Sequence, residues 1–465
     1  MFDALTLPLR ERWLRLPSGV FGQAGWVSTA YFAQQVLRLA TNIVLARLLA
    51  PELFGIMLII NTLRTGSELL TDVGIGQGIV RHPEGDQPRY FNTAWTVQIL
   101  RGIVLFLVAV AAAGPVAALY EEPVLAKLIP VFATIFLITG LSSPSRFLLQ
   151  KRMEVRKLTL FELGATLVQS LVTIGLAWIV PGIWALVWGM LIGSGCAALA
   201  SFFLIDWRRH RLTLDREALR SIVGFGKWVF LASLLYFLAS YYDWLYLGKA
   251  IPFALLGVYG IARTYSDTAT QLFQRLGTLI VFPKVAAHAE RGAGLGRAIA
   301  PKRRLALGAI ALSLGAGVAV ADTMIELFYD ARYHQAGAIL TLLLVGVWFA
   351  ILAAMADAMM MGVGAPSGVA LGNAVKFGCM VVGLPLALAG GGLLAVVLVL
   401  IVADALRYVT LAARKRSHGL SFLRQDIVFT AIFGATAIGL RVLTGLVGLT
   451  GGLEGWIAAG SRLGG

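Results

Sequence analysis

Long apolar runs alternate with short polar ones along almost the whole chain, and the runs are of bilayer-crossing length. A helix needs about 20 mostly apolar residues to cross a membrane. Runs of that kind predict helices at about 20–48, 53–80, 91–118, 124–148, 158–179, 183–205, 221–248, 253–283, 303–328, 336–361, 367–389, 391–413 and 425–448. The first twelve form a core. The last, Asp426–Gly448, carries Arg441 and several glycines, so it reads either as a thirteenth span or as a helix lying at the interface. Ala50–Glu52, Pro181–Gly182 and Gly390–Gly392 leave room only for tight turns, so the flanking runs are expected to fold back as antiparallel hairpins. The expected class is all-α and polytopic.

Polar residues inside these runs are unevenly spread. A charge at mid-span costs roughly 2.5–3.5 kcal/mol, so it should face water or a partner. The first run carries Gln34, Gln35, Arg38 and Asn42, and the second carries Arg64, Glu68 and Asp72 at four-residue spacing, which is one helical stripe. The seventh carries Asp243, and the eighth carries Arg263 and Asp267, again four apart. Runs three to six carry few mid-span charges, Glu162 among them. Further along, Asp322, Glu326 and Arg407 lie close enough to span ends to snorkel, and Asp357 and Lys376 are expected to pair.

The polar runs are also repeat partners. At an offset of 202 residues, Trp26–Val27 falls on Trp228–Val229, Leu45 on Leu247, Arg47 on Lys249, Gly55 on Gly257 and Thr62 on Thr264. Both copies start from the same side, which is a parallel repeat with its axis along the membrane normal. Two six-helix lobes follow, 1–210 and 211–415, with 416–465 as an additional helix and tail. In that arrangement Arg38, Arg64 and Arg263, with Gln34, Gln35 and Asn42, would line a central wet cavity. The guanidinium fork suits an anionic group such as phosphate. Glu68, Asp72, Asp243 and Asp267 would relay protons or bind a coupling cation. The competing reading is structural: Arg64–Glu68 and Arg263–Asp267 as closed intrahelical ion pairs.

Composition agrees with a membrane protein: 58% of the 465 residues are hydrophobic and only 14% charged, against about 25% charged in a soluble domain. The net charge of +15 would suit nucleic acid, but its basic residues lie in short clusters between apolar runs and form no separate basic domain. They serve orientation and anionic headgroups instead. With the N-terminus placed in the cytoplasm, 25 of the 39 Lys and Arg fall in inner segments and 4 in outer ones. No secretory leader is expected at Met1–Pro17, which is mixed polar.

Other patterns carry no chemistry. Cys196 and Cys379 lie in apolar runs, the five histidines have no metal-ligand spacing, and no hydrolase nucleophile motif occurs. Gly74-Ile75-Gly76-Gln77-Gly78 closes a helix without a βαβ context, so it reads as a close-packing element. No cofactor or metal is expected.

Two stretches nevertheless carry a family likeness. Leu45-Ala46-Arg47-Leu48-Leu49-Ala50-Pro51-Glu52-Leu53-Phe54-Gly55, followed by Leu70-Thr71-Asp72-Val73-Gly74-Ile75-Gly76, resembles the N-terminal signature of the polysaccharide transporter family. Leu148–Met153, Phe161-Glu162, Gly182–Val187 and Phe282–Val285 resemble that family's Wzx-type flippases, whereas Phe328–Tyr333 departs from them. The family lies in the multidrug/oligosaccharidyl-lipid/polysaccharide exporter superfamily, so the resemblance implies a fold like that of the multidrug (MATE) exporters. It also implies a bacterial inner-membrane flippase for undecaprenyl-diphosphate-linked oligosaccharide in surface polysaccharide synthesis (O-antigen, exopolysaccharide or capsule). Such a flippase works by alternating access on an H+ or Na+ gradient, alongside polymerase and export machinery. Two alternatives keep the fold: a multidrug exporter and a peptidoglycan-precursor flippase. A polymerase or ligase needs room for two glycans outside, and the outer segments are too short for that.

Overall fold

A computed structural model describes residues 18–71, 74–206, 210–280, 295–362, 366–417, 421–448, 450 and 452. Regular structure among them is helical, with no strand. In chain order the helices are α1 Ser18–Leu48, α2 Pro51–Leu70, the short α3 Ile75–Arg81, α4 Pro88–Leu119 and α5 Pro123–Leu141. The short α6 Ser145–Lys151, α7 Val155–Ile179, α8 Ile183–Ser201, α9 Arg216–Ala250 and α10 Phe253–Ile280 follow. Then come α11 Leu295–Phe328, a 3-10 turn at Ala331–Tyr333, α12 Gln335–Gly362, α13 Pro366–Ser417 and α14 Leu423–Leu446.

Nine of these helices, among the described residues, are long and apolar enough to cross a membrane. The chain is a multi-pass membrane protein. Besides the short α3 and α6, three helices fall outside the nine: α1, α9 and α10, which carry many of the polar residues singled out above.

Two expected spans end earlier than the apolar pattern suggests. The second stops at Leu70, and Gly74 takes a left-handed φ of 72° before α3 begins. That conformation is open to glycine at little cost. The fourth stops at Leu141, before Ser142-Ser143-Pro144, because the residue before a proline disfavours helix. The released segments, α3 and α6, pack on each other. Ile75, Ile79, Tyr90, Phe91, Ala94, Leu148 and Ala218 make their shared core, and a Cβ on Gly76 would meet the Phe147 ring at 2.5 Å. Close packing is therefore what the glycine-rich stretch does.

The helices form two compact units. One holds α1, α3 to α8 and the start of α9, and the other holds α2, the rest of α9 and α10 to α14. The chain passes from the first to the second within α9, between Val229 and Phe230.

In the first unit, α7 and α8 are antiparallel around Pro181–Gly182, with Gly189 against Thr173 and Gly193 against Gln169. The segment before α9 is pinned along α4. Backbone N–H groups of Arg211, Asp215 and Thr213 donate to the side chains of Asn92 (3.2 Å), Thr93 (3.0 Å) and Thr96 (3.2 Å). Arg89 pairs with Asp215 at 3.0 Å.

The second unit contains a symmetric crossing. A Cβ on Gly55 of α2 would collide with the Phe253 carbonyl of α10, and one on Gly257 of α10 with the Pro51 carbonyl of α2. These four residues are related pairwise by the 202-residue offset. Within α13, Gly391 (φ −155°, ψ 22°) and Gly392 (φ 60°, ψ −155°) leave the helix. The two arms fold back on each other: Gly372 meets Leu411 and Arg407, and Gly383 meets Val399. That is the hairpin expected at Gly390–Gly392.

Helix α14 runs alongside α11 over its depth. Buried Arg303 is paired with buried Asp426 at one end, and buried Arg441 with Asp322 at the other. Both helices run in the same direction between these pairs. At 1.5 Å per residue, Arg303 to Asp322 rises about 28 Å, close to the roughly 30 Å hydrocarbon core. Held to α11 at both ends, α14 is also long and apolar enough to cross a membrane. The expectation that Asp322 snorkels is corrected: it is held by both guanidinium nitrogens of Arg441, at 2.6 and 2.5 Å.

Candidate functional site

In the first unit the polar residues of α1 separate into two groups. Gln34 donates to Thr166 of α7 at 2.8 Å, because α1 packs on α7, so it is spent on helix–helix packing. Gln35, Arg38 and Asn42 lie three and four residues apart, on one stripe. Arg38 is exposed, Gln35 and Asn42 half-buried, and no hydrogen bond or ion pair engages them among the described residues.

In the second unit each candidate arginine is compensated. Arg64 reaches Glu68 at 3.3 Å along α2, both about one-third exposed (28% and 36%). This is the intrahelical ion pair weighed above. Asp72 lies outside the described residues. Asp243, almost wholly buried, accepts a hydrogen bond from the Tyr259 hydroxyl at 2.6 Å. Arg263 lies 3.8 Å from Asp243 and 3.3 Å from Asp267. One arginine between two carboxylates leaves the group with a net negative charge, and Asp243 Oδ1 has no hydrogen-bond partner. A buried, under-satisfied carboxylate is suited to taking a proton or a cation.

Arg263 and Asp267 also line a cavity of about 500 Å³ inside this unit, together with Asp357, Lys376, Asp404 and Arg407. The last four enter with partners other than those expected. Lys376 pairs with Asp404 across the α13 hairpin at 2.7 Å, and Asp357 of α12 with Arg407 at 2.6 Å. The expected Asp357–Lys376 pair is replaced, and Arg407 is drawn inward instead of snorkelling. The signal for the first pair was present: Lys376 and Asp404 are equidistant from Gly390. Among the described residues no group of three or more His, Cys, Asp or Glu could hold a metal ion.

Comparison with known proteins bears on this arrangement. Residues 44–338, more than half of the chain, match the family model described as polysaccharide biosynthesis protein. Among curated proteins, the teichuronic acid biosynthesis protein TuaB of Bacillus subtilis (strain 168) is 20% identical over 284 residues, covering 60% of this chain and 58% of that protein. The lipopolysaccharide biosynthesis protein WzxC of Escherichia coli (strain K12) is 23% identical over 264 residues, covering 57% and 54%. The match thus spans little more than half the length of these relatives. Among solved structures, the lipid II flippase MurJ in an inward closed conformation superposes with a TM-score of 0.73 at 14% identity, over 94% of this chain and 96% of that one. An inward-facing multidrug resistance MATE transporter of the MOP superfamily gives 0.67 at 16% identity, over 86% and 95%. At such identities the likeness is one of fold.

Proposed function

The chain belongs to the polysaccharide biosynthesis protein family, and from that premise and the geometry above we propose that it is a flippase for undecaprenyl-diphosphate-linked oligosaccharide. It acts as a transporter, not an enzyme, in the bacterial inner membrane, with its N-terminus in the cytoplasm. Its product feeds surface polysaccharide assembly, with polymerase or export machinery as the downstream partner and anionic lipids against its basic inner segments.

The observation that carries this reading is the α1 stripe: Arg38 stands exposed between Gln35 and Asn42, with no hydrogen bond or ion pair among the described residues. A diphosphate is the anionic part of such a substrate, and a free guanidinium engages it through paired N–H donors. Arg64 adds positive charge but shares it with Glu68. Arg263, compensated twice, belongs with the coupling group, where Asp243 and Asp267 take up H+ or Na+ as access alternates between the two membrane faces.

The test is reconstitution into liposomes with a fluorescent lipid-linked oligosaccharide and an imposed H+ or Na+ gradient. Gradient-dependent translocation is expected from the wild type. Arg38→Ala should abolish most of it, and Asp243→Asn should uncouple it from the gradient. Wild-type rates in both variants would remove the assigned roles, and no translocation under either gradient would remove the flippase reading.

A further inference from the structure

The cavity inside the second unit has a chemistry distinct from that of the α1 stripe. Its three cations and three carboxylates are matched one to one: Arg263 with Asp267, Lys376 with Asp404, Arg407 with Asp357. A diphosphate would find no surplus positive charge there. At about 500 Å³ the cavity is of ligand size, within the roughly 300–1,000 Å³ typical of small-molecule sites.

Its polar lining sets the donors of Arg407 and Lys376 beside the acceptors of Asp357 and Asp404. Asn373, also in the lining, offers a donor and an acceptor on one amide. Tyr236, exposed in the same wall, presents an apolar ring beside its polar tip. A wall of adjacent donors and acceptors with no surplus positive charge, next to an aromatic face, matches a ligand whose every polar group both donates and accepts. A hydroxyl does that; a phosphate or an ammonium does not.

We infer that this cavity is the subsite for the glycan of the substrate, taking neutral sugar rings through Asp357, Arg407 and Asn373, while the diphosphate is held elsewhere on the chain. The inference rests on the flippase reading above and extends it to the sugar end. It makes recognition of cargo separable: one set of residues reads the diphosphate common to lipid-linked sugars, and another reads the sugar.

Binding to the full chain in lipid nanodiscs tests this with two probes. One is undecaprenyl diphosphate; the other is the lipid-linked repeat extracted from cells lacking the gene. Wild type should bind the repeat more tightly than the bare diphosphate. Asn373→Ala and Asp357→Asn should each weaken binding of the repeat about tenfold, the effect of one or two hydrogen bonds to a charged or amide partner, and leave the bare lipid unaffected. Asn373→Ala breaks no ion pair, so it stays informative if Asp357→Asn fails to fold. Equal loss for both probes, or loss for neither, overturns the subsite. A change only in the Na+ or pH dependence of binding overturns it as well, in favour of a coupling-ion pocket. Wild type that binds neither probe refutes the flippase reading itself. Wild type that prefers the repeat while the variants keep that preference refutes only the inference drawn here.

Discussion

Removing the carboxylate of Asp322 should cost more stability than removing the guanidinium that holds it. Arg441 is wholly buried and among the described residues makes four hydrogen bonds: two to Asp322, at 2.6 and 2.5 Å, one to the Ala319 carbonyl at 3.0 Å and one to the Gly452 carbonyl at 2.7 Å. In Asp322→Ala the cation keeps the two carbonyls but loses the carboxylate that two of its nitrogens hold. A buried charge stripped of its partner costs about 3–5 kcal/mol, a large share of the roughly 5–15 kcal/mol by which typical domains are stable. Arg441→Met leaves the opposite remnant. The Asp322 side chain is 17% exposed, so it can rehydrate, and the loss should be about half as large by the same argument. The double variant Asp322→Ala/Arg441→Met buries no charge and should be at least as stable as the better single. Thermal unfolding of the detergent-solubilised protein, followed by fluorescence-detected size exclusion, reads all three. Equal losses for the two singles, or a double variant that loses their sum, would refute the account of α14 as a helix clamped to α11 by a buried pair.

Three further outcomes follow from other parts of the structure. Exchanging the members of the hairpin pair, Lys376→Asp with Asp404→Lys, should recover most of the folded yield that either single change loses, measured as monodisperse protein per cell; no recovery would mean that the pair at 2.7 Å does not join the arms. Alanine at Gly257 should destabilise the second unit by about 1–3 kcal/mol, as overpacking does, and alanine at Gly55 should do the same because the two positions meet equivalent carbonyls; a thermal shift in one variant only would break the equivalence. Asp215 accepts the backbone N–H of Ala218 and of Glu217 and faces Arg89, and these hold its carboxyl below the ordinary 3.8. Its folded pKa thus lies under the unfolded one, so its contribution is complete above about pH 4 and fades as pH falls through the lower folded value. Amide hydrogen exchange at 217 and 218 should stay slow from neutral pH down to that point, and loss of protection already between pH 5 and 7 would contradict the capping role.

The apolar pattern sufficed to locate the helices, because bilayer thickness sets run length and leaves little freedom. It misplaced the ends at Leu70 and Leu141, where Gly74 and Pro144 stop helices inside stretches that remain apolar; hydrophobicity is indifferent to such breaks, though the residues themselves announce them. The hairpin pair Lys376–Asp404 was readable from its symmetry about Gly390. The pairs at Arg303–Asp426 and Asp322–Arg441 were not, because they depend on which helix stands beside α14, and that choice leaves no mark in either helix alone. The same limit applies to the arginines. Spacing placed Arg64 four residues from Glu68 and Arg263 four from Asp267, but the proximity of Asp243 to Arg263 depends on how α9 meets α10. Among the described residues, Arg38 keeps the unpaired charge that its sequence context suggested.

Where α2 crosses α10, backbone rests on backbone. Interlocked side chains resist sliding because each must change rotamer before its neighbour can pass. At Gly55 and Gly257 there is nothing to unlock, so the contact should behave as a bearing: firm against separation, smooth against rotation. A methyl group on either surface would act as a burr, and its first symptom would be sluggish turnover.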